Sequence, residues 1–113
     1  MGDRANIIIL QDKGEPPVVL YMHNGGYMLR ERLEKAMFAA ATRTGDPHYY
    51  TRLLVKALND IISGIGTSID DNEHLIPVVD SLENEIVEWI DEKQARGSLS
   101  YYTTTKKTFN ESL

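Results

Sequence analysis

The chain has 113 residues and a mass of 12.8 kDa, which is enough for one domain and too little for two cores of ordinary size. Hydrophobic residues make up 42% and charged residues 26%, which is typical of a folded globular chain, and no apolar run approaches the roughly 20 residues that span a bilayer. The net charge is -5, and cysteine is absent, which excludes disulfides and thiolate chemistry.

The acidic charge is concentrated in the second half of the chain. Residues 1–56 carry 8 basic and 6 acidic side chains, whereas residues 57–113 carry 4 and 11. Between Asp60 and Glu92 there are 10 acidic residues and no Lys or Arg. Such a surface repels a phosphate backbone, so we predict no binding to DNA or RNA. The segment Met1–Asn6 has no basic stretch leading into an apolar one, which predicts a cytoplasmic protein without a secretory signal or a membrane contact.

Two strands are predicted first. Asn6–Leu10 contains four consecutive large aliphatic residues and suits a strand buried on both faces. Asp12–Pro16 consists of turn-forming residues, and Val18–Met22 is the second strand. These strands should form an antiparallel hairpin, because their connection is too short for a parallel crossover.

Two helices follow. The segment Asn24–Gly26 ends the second strand and opens a helix of about 16 residues, in which apolar residues recur at steps of three and four. This helix ends before Gly45. Asp46 followed by Pro47 predicts the start of the second helix, which carries an apolar stripe as far as Ile62.

The β pattern returns after the helices. Strands are predicted over Thr67–Ile69, His74–Asp80 and Ile86–Ile90. Ser98–Thr105 is rich in β-forming residues and is predicted to pair at a sheet edge or with another chain, with a swapped arm or disorder as the alternatives. A short helix over residues 91–96 can precede it.

The order β-β-α-α-β-β-β predicts an α+β domain over residues 1–109. We expect an antiparallel sheet with a helical hairpin packed on one face, and a flexible tail at residues 110–113. A small sheet with an exposed edge also favours a homo-oligomer.

The first candidate site is the turn between the second strand and the first helix. Gly25 and Gly26 let the backbone curl, and the following helix presents unpaired N–H groups with a partial positive charge. Such a turn suits phosphate or carboxylate oxygens, with Tyr21, His23 and Asn24 as further contacts. The alternative is that Asn24 caps the helix and the glycines only turn the chain.

The second candidate is the polar loop Gly64–His74. It combines glycines, hydroxyls, carboxylates, an amide and an imidazole between apolar segments. We select Ser68, Asp71 and Asn72 as residues that recognise polar groups on a ligand. The alternative is a solvated, turn-forming loop.

Two arginines complete the candidate set. Arg4 and Asn6 precede the first strand's apolar run, and Arg30 lies on the first turn of the first helix. Arg4 and Arg30 are predicted to converge on a phosphate, against the alternative that both are solvated. Trp89 is interpreted as a core or interface aromatic.

Catalytic signals are absent from the sequence. There is no Gly-x-Ser-x-Gly elbow and no His-Glu-x-x-His helix. His23, His74 and Asp70 could supply ligands to zinc or manganese, but their spacing selects no metal. We therefore predict no catalytic residue, no resident metal and no cofactor, and a binding module rather than an enzyme.

Five segments resemble those of a known family. They are Met1–Asn6, Leu20–Tyr27, Gly64–Ser68, Asp71–Glu73 and Val78–Asp80. Over roughly residues 1–91 the chain resembles a family of small uncharacterised proteins of bacteriophages and bacteria. Family members tend to carry tryptophan after the histidine of the second segment, whereas this chain has Asn24, which removes a possible stacking ring.

In size and in its lack of catalytic motifs, the chain is also similar to the phage Thoeris anti-defence sponges. Those are oligomeric, non-enzymatic proteins that sequester cyclic ADP-ribose-type or cyclic oligonucleotide signals. The resemblance implies a homo-oligomer in the host cytoplasm that holds a small anionic nucleotide-like ligand without transforming it. Helix N–H groups and arginines would hold the phosphates, a tyrosine the base, and Asn72 a base edge or ribose.

Two other functions compete with this prediction. The acidic surface over residues 60–92 suits an inhibitor that binds a basic host protein directly. A small metal-dependent hydrolase would use His23, His74 and Asp70.

Overall fold

The computed structural model describes residues 2–105, which form a five-stranded mixed sheet with helices on both faces. The strands are β1 (Ala5–Leu10), β2 (Val18–Met22), β3 (Gly64–Gly66), β4 (Ile76–Asp80) and β5 (Glu85–Ile90), and the helices are α1 (Leu29–Ala40), α2 (Pro47–Ala57) and α3 (Glu92–Thr105). Short 3₁₀ turns flank α1 at Gly26–Met28 and Ala41–Arg43. The predicted α+β class is confirmed, while the predicted tail at residues 110–113 lies outside the described residues.

The sheet order is β3-β2-β1-β4-β5, and one of its pairings was not expected. β1 pairs antiparallel with β2 but parallel with β4, so the prediction of a wholly antiparallel sheet is wrong. The cause is the connection between β3 and β4. Its residue Ile69 is buried against one face of the sheet, so this segment crosses the sheet and returns the chain to the end from which β1 starts.

β1 is the central strand, and all six of its residues are buried. Alternate residues face opposite sides: Ile7 and Ile9 belong to one hydrophobic cluster, whereas Ile8 and Leu10 belong to the other. The prediction of a strand buried on both faces is therefore confirmed.

The helices α1 and α2 pack on the face that carries Ile7 and Ile9. Leu33 of α1 and Leu54 of α2 are fully buried in the same cluster as these two strand residues. Both helices thus contribute to one core layer with the sheet, as the apolar spacing predicted.

The opposite face is covered by α3, where the sequence analysis placed a strand at Ser98–Thr105. Asp91 accepts a hydrogen bond from the backbone N–H of Gln94 at 2.8 Å, and Ala95 is fully buried against this face. An N-cap and a buried apolar position therefore start a helix that continues through the β-forming residues, because tertiary packing outweighs local propensity. None of the helices within residues 2–105 has the length and apolar character needed to cross a bilayer.

Two boundaries in the middle of the chain also differ from expectation. α2 starts at Pro47 as predicted but ends at Ala57, well before Ile62. Arg32 on α1 donates to the carbonyl of Ala57 at 3.2 Å and ties the turn that follows α2 to α1. The next strand is β3 at Gly64–Gly66, so the prediction of a strand at Thr67–Ile69 is wrong by three residues.

Candidate functional site

Asp3 binds the backbone of the 3₁₀ turn Gly26–Met28, which leads into α1. The N–H of Gly26 donates to the carbonyl of Asp3 at 2.9 Å, and the N–H of Tyr27 donates to its carboxylate at 2.5 Å. A carboxylate stabilises a helix start because it meets the positive end of the helix dipole. These two donors, which we expected to face a ligand, are therefore engaged by the protein itself.

Asp3 also holds His74, 71 residues away in the sequence. The imidazole Nε2 forms a short hydrogen bond with the other carboxylate oxygen of Asp3, and this bond is the main cause that lowers the pKa of Asp3 below its ordinary value. The imidazole ring lies so close to Gly26 that a Cβ there would collide with it. Gly26 is thus required for close packing, and it fixes the position of an imidazole.

Asp3, Gly26 and His74 form what we call the α1 corner. Arg30 lies next to it and is stacked on Trp89. Its guanidinium carbon is 4.3 Å from the centre of the indole ring, which is the geometry of a cation–π pair. Among the described residues, no carboxylate pairs with Arg30. The guanidinium therefore keeps free N–H groups that can donate hydrogen bonds to an anion.

A cavity of about 300 Å³ opens between these groups, and we call it the α1 cavity. Its lining residues are Gly26, Tyr27, Leu29, Arg30, His74, Leu75 and Trp89. Tyr27 is 74% exposed and Leu75 is 56% exposed, so apolar surface reaches solvent at its rim. The α1 cavity thus combines one unpaired cation, one oriented imidazole and two aromatic rings.

Tyr21 and Ser68 lie at a different cavity, of about 510 Å³, beside β3. We call it the β3 cavity; its lining residues are Val19, Tyr21, Ser63, Gly64, Ile65, Gly66, Ser68, Ile69 and Asp70. His23 lies close by, because its Nδ1 is 3.1 Å from the hydroxyl of Tyr21. The two candidate segments of the sequence analysis therefore meet at two places: here at the β3 cavity, and at the α1 cavity, where Gly26 and His74 lie beside Arg30.

Asn24 and Gly25 line a third cavity of about 300 Å³ together with Asp60. The carboxylate of Asp60 binds Arg32 through two hydrogen bonds, at 2.9 and 2.5 Å. The Arg32 guanidinium also lowers the pKa of Asp60. This cavity contains a carboxylate that is already neutralised, so it offers little to an anion.

Asn6 and Asn72 have structural roles in this chain. Asn6 is fully buried, and its amide donates to the carbonyls of Asp70 and Asp71 at 3.2 Å and to the side chain of Asn72 at 3.1 Å. The amide of Asn72 in turn donates to the carbonyl of His74. These polar groups hold the β3–β4 connection against the sheet, so the expectation that they contact a ligand has no geometric support.

Arg4 does not join Arg30. Its guanidinium pairs with Asp71 at 3.1 Å, and it is not among the residues that line the three cavities described here. These cavities therefore give no support to the expected convergence of the two arginines on one phosphate. Among the predicted site residues, Gly26 and Arg30 alone line the α1 cavity.

Sequence reasoning missed Asp3 altogether, and it considered His74 only as a metal ligand. Asp3, His74 and Trp89 come from the start, middle and end of the described chain. No local pattern links residues so far apart, and the pairing of strands is what joins them. Within the described residues, no group of three or more His, Asp or Glu side chains is arranged to hold a metal ion.

No family model, curated protein or solved structure matches this chain. The two resemblances in the sequence analysis therefore stay predictions.

Proposed function

We propose that this protein binds a small anionic nucleotide-like molecule in the α1 cavity and releases it chemically unaltered. The observation that carries the proposal is the unpaired guanidinium of Arg30, which lies 4.3 Å above the ring of Trp89 at the wall of that cavity. An arginine beside exposed aromatic rings is suited to a ligand that has both a phosphate and a flat base.

The phosphate would bind to side chains rather than to the helix backbone. Asp3 already occupies the N–H groups of Gly26 and Tyr27, and a second anion beside that carboxylate would be repelled. Arg30 lies one turn further along and can form two parallel hydrogen bonds to phosphate oxygens.

The base would stack on Tyr27, whose ring is largely exposed. A volume of about 300 Å³ lies at the lower end of the range for small-molecule sites, so one copy would enclose a mononucleotide-sized ligand. The apolar rim at Tyr27 and Leu75 supports a homo-oligomer in which a second copy covers the ligand. Sequestration of a cyclic nucleotide or cyclic ADP-ribose-type signal as a phage anti-defence sponge in the host cytoplasm would use such an arrangement, and it rests on the resemblance alone.

A specific observation favours a second candidate function. Asp3 orients His74 toward a fixed position, as a carboxylate orients the imidazole in many acid–base catalysts. A hydrolase without a resident metal would use His74 to activate water. Arg30 and the two aromatic rings that line the same cavity suit the binding of an anion, so we favour binding.

The test is calorimetric titration with AMP, 3′,5′-cyclic AMP and ADP-ribose, and with adenosine as the uncharged control. At least one of the anions should bind at least about tenfold more tightly than adenosine, because a hydrogen bond to a charged group contributes roughly 1.5–3 kcal/mol. Arg30→Ala should abolish that preference.

Arg43→Ala is the matched control, because Arg43 lies 4.1 Å above the ring of Tyr49 in the same kind of pair elsewhere. It should leave the preference unchanged. Mass spectrometry of the ligand recovered after heat denaturation should show the intact nucleotide. Recovery of a hydrolysed product, lost in His74→Asn, would support the second candidate instead. Equal loss of affinity in both arginine variants would remove Arg30 from the site.

A further inference from the structure

The β3 cavity lies beside an open edge of the sheet. β3 is at one end of the strand order and pairs only with β2 within the described part of the chain. Its outer backbone groups are therefore available to a further strand. Ile65, the middle residue of β3, is 61% exposed, so its own side chain reaches solvent.

The two glycines of β3 place no side chain in the cavity that they line. Gly64 pairs with Tyr21 and Gly66 with Val19, and all four residues line the β3 cavity. A Cβ added at either glycine would meet no atom within 4 Å. Side chains of an added strand can therefore enter a space of about 510 Å³.

The negative charge of this cavity favours an occupant with a positively charged side chain. Asp70 is the only charged residue among its described lining residues, and it is exposed. The neighbouring carboxylate of Asp71 is already neutralised by Arg4, whereas Asp70 forms no ion pair within residues 2–105. An occupant that presents a Lys or Arg side chain fits, and a phosphate-bearing one does not.

We propose that β3 binds an extended segment of a basic polypeptide as an added strand, with one Lys or Arg side chain entering the β3 cavity toward Asp70. Main-chain hydrogen bonds would supply affinity, and the pocket beside the strand would supply specificity. A second copy of this chain fits less well, because its net charge is -5 and its own Asp70 would approach the first.

The experiment is fluorescence anisotropy with a labelled heptapeptide in which Lys alternates with Val and Thr. We expect saturable binding that weakens with added salt. A peptide with Glu in place of each Lys should not bind. A peptide whose backbone amides are N-methylated on alternate residues should not bind either, because it cannot pair with β3.

Variants of the protein separate this site from general acidic attraction. Asp70→Asn should weaken binding by roughly three- to fivefold, as expected for a partly solvated ion pair. Glu85→Gln, the same charge change on the opposite edge strand, should leave it unchanged. Gly64→Val should abolish binding, because its side chain would occupy the β3 cavity, while the melting temperature stays close to that of the wild type, since a Cβ at Gly64 meets no atom within 4 Å.

The proposal is overturned if the N-methylated peptide binds as well as the parent, or if Asp70→Asn and Glu85→Gln weaken binding equally. It is also overturned if the peptide does not bind and sedimentation shows a dimer that Gly64→Val dissociates. That last result would assign the edge to a second copy of the chain.

Discussion

The regions before α1 and α2 contain the same kinds of residue, but the contacts before α2 are made by residues close in the sequence and those before α1 by residues far apart. An aspartate accepts a backbone hydrogen bond at both places: Asp46 from the N–H of Tyr49 at 3.4 Å at the start of α2, and Asp3 from the N–H of Tyr27 at 2.5 Å in the 3₁₀ turn that leads into α1. Asp46 immediately precedes its helix, whereas Asp3 is 24 residues from Tyr27. The α2 cap is therefore a local feature, whereas the contact of Asp3 with the turn before α1 is a tertiary contact.

The arginine pairs show the same difference between local and tertiary contacts, and the histidine pairs differ in their burial. Arg43 stacks on Tyr49 six positions away, but Arg30 stacks on Trp89, which comes from β5. His48 lies 2.7 Å from Glu15 on an exposed surface, whereas His74 is half-buried with Asp3 against Gly26. Parts of three distant segments thus meet around a cavity at α1, and such convergence is typical of a binding site rather than of a helix cap.

The largest expected effect is on the free energy of unfolding, when one methyl group is added at Gly26 in the α1 corner. The comparison is the same change at Gly45, which lies in the turn just before α2 and which we call the α2 corner. Gly26→Ala should lower the free energy of unfolding by ~2–3 kcal/mol, because the methyl group collides with His74 in a packed site. Gly45→Ala should cost about 1 kcal/mol, because the space is open and only its φ of +92° is unfavourable. Urea denaturation measures both values. Equal costs would show that the α1 corner is no more tightly packed than the α2 corner.

The cap of α2 should have a moderate effect of its own. Asp46→Ala should destabilise the protein by about 1 kcal/mol, because the N–H of Tyr49 loses its acceptor. Nucleotide binding at the α1 cavity should not change. If Asp46→Ala lost nucleotide binding without losing stability, the α2 cap and the α1 cavity would be coupled.

The α1 corner should also give the protein a specific dependence on pH. The hydrogen bond from His74 lowers the pKa of Asp3 in the folded state, so the ionised carboxylate stabilises the fold above its unfolded pKa of about 3.9. This contribution is lost as the pH falls through the lower, folded value. The difference in melting temperature between the wild type and Asp3→Asn should therefore shrink as the pH falls from 7 to below 3.9. A constant difference would mean that the Asp3 charge contributes nothing.

The smallest effect is expected at the local arginine pair. Arg43→Ala should change the free energy of unfolding by about 0.5 kcal/mol or less, since exposed cation–π pairs contribute little. Chemical denaturation with replicate baselines can resolve this value. A loss of several times that size would mean that Arg43 supports the α1–α2 connection.

The contrast between the corners also explains which features the sequence could predict. Asp46-Pro47 is a local start signal, and the apolar run in β1 identifies a buried strand, so both predictions are confirmed. The parallel pairing of β1 with β4 depends on a connection that crosses the sheet, and no short pattern reveals it.

For the candidate site, the sequence analysis singled out the turn at Gly26 and the residue Arg30, and it assigned the phosphates to backbone donors as well as to arginines. Those donors are engaged by Asp3, whose role follows only from the hairpin that brings the chain start beside α1. Asn6 was predicted as a ligand contact from its place at the entrance of the first strand, and Asn72 from its place in the polar loop Gly64–His74. Asn6 is buried in the sheet and donates a hydrogen bond to Asn72, so this pair connects β1 to the β3–β4 connection.

The most direct test of the account is the fluorescence of Trp89 during titration with AMP, because this is the only tryptophan in the chain. Binding in the α1 cavity should change its emission saturably, with the same midpoint as the calorimetric titration, and Arg30→Ala should remove the change. Calorimetric binding that leaves the Trp89 emission unaltered would place the ligand elsewhere and contradict the account.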